Sequence, residues 1–355
     1  MSLTITKDHP GGNIELCGVK GDCYTLRTER RDSTQWWFYF NFRARAAQEC
    51  RVRFVFEDGE VISRFGVCMS RNNLDWYYDT AHTWVDHRSF TYTFRAGESV
   101  YFAFAPGYRT ENFERFWAAL PTGRFQKRHL GQSEKGRDLF VYTIGSGERQ
   151  LIFTARCHAC ESTASYVLEG IMEYVSDCAA ACQAVSCHFF PFMDIDGVEE
   201  GDQGKGRSPH DHNRDFTEQP LYRSVRALYA YSADKSYLAG FDLHSPWRWG
   251  GGNDTVFFAL PPQPHASRLE AFTAALEAAT AGDSIRYHAR NNVAFGTSWN
   301  TTIRGLSKDF FLQKGARLAG TVEIPYFGDT DTPYTPDTLR QFGRQFIKSL
   351  LSVLT

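Results

Sequence analysis

The 355-residue chain has 42% hydrophobic and 23% charged residues, which is enough apolar material for packed cores at a length that suits two domains. A formal charge of −2 and a pI near 6.6 leave no concentrated positive face, which excludes nucleic acid as a partner. No basic-then-apolar leader opens the sequence and no apolar run reaches about 18 residues, so neither a secretory signal nor a membrane span is expected. Nine cysteines without a framework spacing suit a reducing compartment, and the cytoplasm is the expected location.

In chain order, the first part reads as all-β. Trp36 to Ala44, Cys50 to Asp58, Ser89 to Ala96 and Ser99 to Ala105 alternate or run apolar and aromatic, between turn signals such as Asp58-Gly59. Short strands at this spacing predict a β-sandwich. Trp36, Trp37, Trp76 and Trp84 are expected to be core and rim of that sandwich rather than a sugar-stacking surface. A short helix over Glu111 to Leu120 ends the domain, placed at residues 1–118.

Residues 119–355 change to strands alternating with helices, which predicts a mainly parallel, mixed sheet covered on both faces. Strands are expected at Asp138 to Gly145, Gln150 to Ala155, Cys187 to Asp194, Leu238 to His244 and Arg317 to Phe327. Helices are expected at Ser162 to Val175, with Ser162 as N-cap, at Leu221 to Ala233, at Ala266 to Ala281, and at Pro336 to Leu354, with Pro at the first turn.

The stretch LIFTARCHACE (Leu151 to Glu161) reads as a buried strand running into a turn that presents His158 and Glu161. A catalytic zinc takes three protein ligands, commonly two across a short spacer and one from far along the chain. His158 and Glu161 form the close pair. His244, ending the strand GFDLH, fits as the third, because ligands of open α/β sheets collect beyond the carboxyl ends of strands. Asp242 is expected to face away from His244 and is given only a supporting role. The HDH run of His210, Asp211 and His212 is a weaker alternative cluster. Cys157 and Cys160 flank His158 and are read as packing thiols rather than a zinc knuckle.

His158-x-x-Glu161, the segment FFPFMDIDGVEEGD, Asp211-His-Asn-Arg214, Asp242-Leu-His244 and Thr321-Val-Glu323 stand in the order of the HxxE, NPDG, DxNR, lone His and late Glu motifs of the M14 metallocarboxypeptidases. The aromatic sandwich ahead of them resembles the cytosolic carboxypeptidase branch, which includes tubulin deglutamylases. The resemblance covers essentially the whole chain. It implies one zinc held by His158, Glu161 and His244, and Glu323 as the general base that activates water and then protonates the leaving amine. It also implies Asn213 and Arg214 as a clamp on the terminal carboxylate of a peptide or protein substrate, and Asp211 as the partner of the second His158 nitrogen.

The chain departs from the family in three ways. Asp194 stands where the NPDG motif has Asn. The family's oxyanion-stabilising Arg has no unique match, and Arg207 is the expected replacement, ahead of Lys205. The tyrosine that digestive members place before the late Glu is replaced by Thr301. The position that faces the terminal side chain in those members falls on Lys308, a cation that would favour a terminal Glu or Asp. Two alternatives to a carboxypeptidase are weighed. One is a zinc amidohydrolase acting on small N-acyl amino acids, resembling succinylglutamate desuccinylase or aspartoacylase. The other is a non-catalytic binding protein that uses the sandwich.

Overall fold

The structure is a computed structural model that describes residues 3–31, 33, 38–78, 84–121 and 123–354. Alternation builds the first domain. Val52, Phe54 and Phe56 are buried at every second position of Cys50–Phe56, and Phe90, Tyr92 and Phe94 repeat the pattern on its antiparallel neighbour Ser89–Phe94. The second sheet presents Phe42, from Asn41–Ala46, and Phe102, from Ser99–Ala103. Ring pairs join the two five-stranded sheets, with centroids 5.5 Å apart for Phe42 and Phe54 and 5.1 Å for Phe90 and Phe102. This is the expected sandwich. Trp76 is buried against Gly107, as a core residue would be. Trp36 and Trp37, and the side chain of Trp84, lie outside the described residues.

The second part is a seven-stranded mixed sheet in the order Phe125–Gln132, Asp138–Ile144, Val185–Phe190, Arg149–Ala155, Ala239–His244, Leu318–Glu323, Phe257–Ala259. The strands from Val185–Phe190 to Leu318–Glu323 run parallel, and the outer pairs are antiparallel. Leu151, Phe153 and Ala155 face a core closed by helices Ser162–Asp177, Glu270–Thr280 and Pro336–Val353. The intervening Ile152 faces a second core closed by Arg223–Tyr231 and Ser307–Gln313. Burial on both faces explains why LIF reads as a continuous apolar run. Helix Thr110–Ala119 packs Phe113 on Tyr142 of this second unit.

Several boundaries shift for identifiable reasons. The strand expected to reach Asp194 stops at Phe190, because Pro191 brings no ladder donor. Asp194 instead caps helix Ile195–Glu200, accepting from the Gly197 N–H at 2.9 Å. The strand expected to run to Phe327 stops at Glu323, just ahead of Pro325. The expected Ala266–Ala281 helix divides into His265–Arg268 and Glu270–Thr280. Glu161, not Ser162, is the N-cap residue of the following helix, and its carboxylate makes no capping bond because it points into the site described below.

Helices Ser162–Asp177 and Pro336–Val353 cross so closely that a β-carbon on Gly343 would stand 2.1 Å from the Val167 carbonyl oxygen. Backbone cannot yield as a flexible side chain can, so Gly343→Ala should destabilise the fold by about 1–3 kcal/mol. This is opposite in sign to the gain of about 1 kcal/mol expected from helix propensity. Urea denaturation checks this, and a stabilised variant would contradict the packing.

Candidate active site

Parallel strands converge on one edge of the sheet. Arg149–Ala155 leads into a turn in which Arg156 takes φ +61°, and the turn delivers His158 and Glu161. Ala239–His244 ends on His244, and the ladder pairs His244 directly with Glu323, the last residue of Leu318–Glu323. Sequence-distant side chains are therefore set side by side by strand register alone, before any loop is considered.

Glu161 is fully buried. Its Oε1 lies 2.8 Å from His158 Nδ1 and its Oε2 lies 2.9 Å from His244 Nδ1, while the two Nδ1 atoms stand 3.2 Å apart. One donor atom from each residue lies within 4.8 Å of the others. The far nitrogen of each ring meets a carboxylate: His244 Nε2 with Asp242 at 2.7 Å, and His158 Nε2 with Asp211 at 3.5 Å. Carboxylates at the Nε2 positions favour the tautomer in which Nδ1 presents a lone pair. Two such imidazoles and a carboxylate form the donor set of a catalytic zinc, and the residues fit that ion. Burial pushes the Glu161 carboxyl up, but the charges of Lys205, His158 and His244 outweigh it and hold the group well below the usual carboxylate range.

Asp242 was expected to face away from His244, and the structure reverses this. Positions two apart on a strand share a face, so Asp242 and His244 point the same way. Asp242 is completely buried, takes the His244 ring, and also accepts from the hydroxyls of Thr154 and Ser307. The adjacent Cys157 sulfur lies 3.6 Å from the same carboxylate.

Glu323 is buried, with Oε2 lacking a hydrogen-bond partner; burial, the first cause, raises its carboxyl above the ordinary range. It lines a cavity of about 720 Å³ together with His158, Glu161, Asn213, Arg214 and Lys308. Asn213 also has a buried, unpartnered Oδ1, and the Arg214 guanidinium is exposed and bonds at 3.2 Å to the Asn213 carbonyl. Lys308 is 1% exposed, and its Nζ donates to Asn300 Oδ1 at 2.8 Å and the Ala259 carbonyl at 3.2 Å. Burial lowers its ammonium to about 8.

Arg207 lines the same cavity, and two carboxylates hold it in place. Its guanidinium is engaged by Asp194 at 2.5 Å and Asp202 at 2.8 Å, both carboxylates of its own loop region. Lys205 is the cation nearest the ligand cluster among the described residues, 2.8 Å from Glu161 Oε1. Sequence spacing could not separate the two, because which side chain turns inward depends on the path of a glycine-rich loop. The HDH alternative also dissolves: His210 pairs with Asp215 at 2.8 Å, and His212 stacks on Tyr222 with centroids 3.6 Å apart.

A mixed sheet that gathers two histidines, a carboxylate and a buried glutamate at its strand ends is an arrangement that a metallohydrolase would require. The sequence profile of the family described as zinc carboxypeptidase matches residues 113–254. An uncharacterized protein of Zymomonas mobilis subsp. mobilis is 24% identical over all of this chain and 97% of its own length. Human cytosolic carboxypeptidase 6 is 29% identical over 45% of this chain, and the match spans 38% of that protein's length. The fold is that of a crystallised metallo-carboxypeptidase from Burkholderia cenocepacia, with a TM-score of 0.80 at 19% identity, covering 100% of this chain and 99% of that one. Residues 113–254 thus match the zinc carboxypeptidase family, and the whole chain shares the fold of a metallo-carboxypeptidase.

Replacing Asp242 with Asn removes the charge behind His244 while preserving its shape. Zinc affinity should fall by about 10- to 100-fold, measured by competition with a chromophoric chelator. Affinity equal to wild type would show that Asp242 merely packs.

Proposed function

We propose that the chain hydrolyses the last peptide bond of a peptide or protein substrate, using one zinc, and prefers a terminal Glu or Asp. The observation that carries the preference is Lys308, a buried ammonium lining the cavity shared with Arg214 and Glu323. Its bonds to Asn300 and Ala259 account for two of three N–H groups, so one donor remains for a ligand's carboxylate. In a site of this depth, a charged hydrogen bond to a substrate side chain discriminates strongly against neutral alternatives.

His158, Glu161 and His244 would hold the zinc, with Asp211 and Asp242 fixing the two rings. When bound, the metal supplies Lewis acidity toward the scissile carbonyl and acidifies water. Arg214, with Asn213 beside it, grips the terminal carboxylate, and an exposed guanidinium at the cavity mouth suits a bidentate grip. This anchors the substrate so that the last peptide bond, and no other, lies beside Glu323. Glu323 takes the proton from the attacking water and returns it to the departing amine. A buried carboxylate with a raised affinity for protons suits that shuttle. The free thiols of Cys17, Cys68 and Cys157 suit the cytoplasm as its location. No described helix is long and apolar enough to cross a membrane.

Glu323→Gln should keep one zinc per chain by metal analysis and lose about 10²- to 10⁴-fold in kcat. Full activity would remove Glu323 from the mechanism. Lys308→Met should cut kcat/KM for a peptide ending in Glu by about a hundredfold, with much smaller change for one ending in Phe. Equal losses on both would sink the specificity assignment.

The pH dependence follows from the same residue. Lys308 is charged below about 8 and neutral above it, so the Glu-over-Phe preference should be full near neutrality and decline as pH rises through that value. A preference that is flat to pH 10 would contradict a Lys308 contact.

A further inference from the structure

Lys205 belongs to none of the roles assigned above. The residue is 6% exposed, and its ammonium touches three acceptors: Glu161 Oε1 at 2.8 Å, the Ser245 carbonyl at 3.0 Å and the Pro246 carbonyl at 2.8 Å. An ammonium has three N–H groups, so each is used and none is left for a substrate oxygen. The residue ties the loop it sits on to the ligand turn and to the chain just after His244.

The loop has little freedom to place Lys205 elsewhere. Gly204 takes φ +80°, and a β-carbon there would stand 2.4 Å from the Ala159 amide nitrogen, so loop and ligand turn are in backbone contact. The fully buried Gln203 accepts the Cys160 N–H through its carbonyl at 3.1 Å, and its side chain takes the Phe38 N–H of the sandwich at 3.0 Å. Both domains therefore fix where the ammonium lies.

We propose that Lys205 is a built-in counter-cation for the ligand cluster. It compensates the buried Glu161 charge in the metal-free protein, and it competes with the metal for that same carboxylate. This rests on reading Glu161 as a ligand. A buried carboxylate without a compensating charge is strongly unfavourable, and breaking a buried pair by removing one partner leaves it so. The metal, once bound, supplies that compensation itself and adds repulsion toward the ammonium. Loss of Lys205 therefore harms the metal-free state more than the loaded one, and the thermodynamic cycle requires metal binding to strengthen. A residue that merely shapes the loop would do the reverse, weakening the metal as the site loosened.

The test compares wild type, Glu161→Gln, Lys205→Met and the double variant, after chelator dialysis and after reloading with zinc. Lys205→Met should lower the Tm of the metal-free protein, enlarge the Tm gain on adding zinc, and tighten zinc binding by about tenfold. The double variant, with both charges gone, should recover the metal-free Tm. Weaker zinc binding in Lys205→Met overturns the proposal, as does a double variant no more stable than the single one. If Lys205→Met does not fold without metal, the double variant decides: recovery supports the proposal and failure overturns it. Glu161→Gln alone with wild-type zinc affinity would instead remove Glu161 from the ligand set, which is a separate failure.

Discussion

A carboxylate with no exposed surface is the constraint around which this molecule is arranged. Glu161 stands at the start of a buried helix, in the N-cap position, yet forms no cap. Its charge can persist there only because two imidazoles and an ammonium converge on it. Each of those groups is then held in turn: His244 by Asp242, His158 by Asp211, and Lys205 by two backbone carbonyls. The site is a nested set of charge compensations, and three side chains that could hold a metal are its innermost layer.

The sandwich is part of that arrangement. Asn13 donates to the Gly201 carbonyl at 2.8 Å and Arg31 pairs with Asp202 at 2.9 Å, while Gly11 donates to the Glu199 carbonyl at 2.7 Å. These contacts flank the segment that carries Gln203 and Lys205. Phe38 packs edge-on against Trp247 and Tyr326, near the mouth of the cavity. The all-β part, which supplies none of His158, Glu161 and His244, thus helps determine the position of the cation nearest them.

Much of this was readable from residues, and the pattern of success follows the physics. The strands leading to His158 and His244 were legible because their apolar runs are local signals, whereas Glu323 fell inside a strand expected to reach Phe327 and was picked out only by the order of the motifs. Short strands such as Cys68–Ser70 and Phe257–Ala259 were missed, since three residues carry too little alternation to register. The shared face of Asp242 and His244 follows from the period of two in their own strand, so it is legible in the sequence. Arg207 and Lys205 could not be separated, because a loop with glycines at 204 and 206 in left-handed conformations has no periodicity to say which side chain turns inward. The burial of Lys308 depends on Asn300 and Ala259, partners that no local pattern connects to it.

The central claim is that His158, Glu161 and His244 form the metal site of the enzyme. Anomalous diffraction recorded on both sides of the zinc absorption edge, from crystals grown with stoichiometric zinc, tests it directly. The account predicts a single strong peak bounded by His158 Nδ1, His244 Nδ1 and the Glu161 carboxylate. A peak instead among Cys157, Asp242 and His244, the other such group among the described residues, would contradict it.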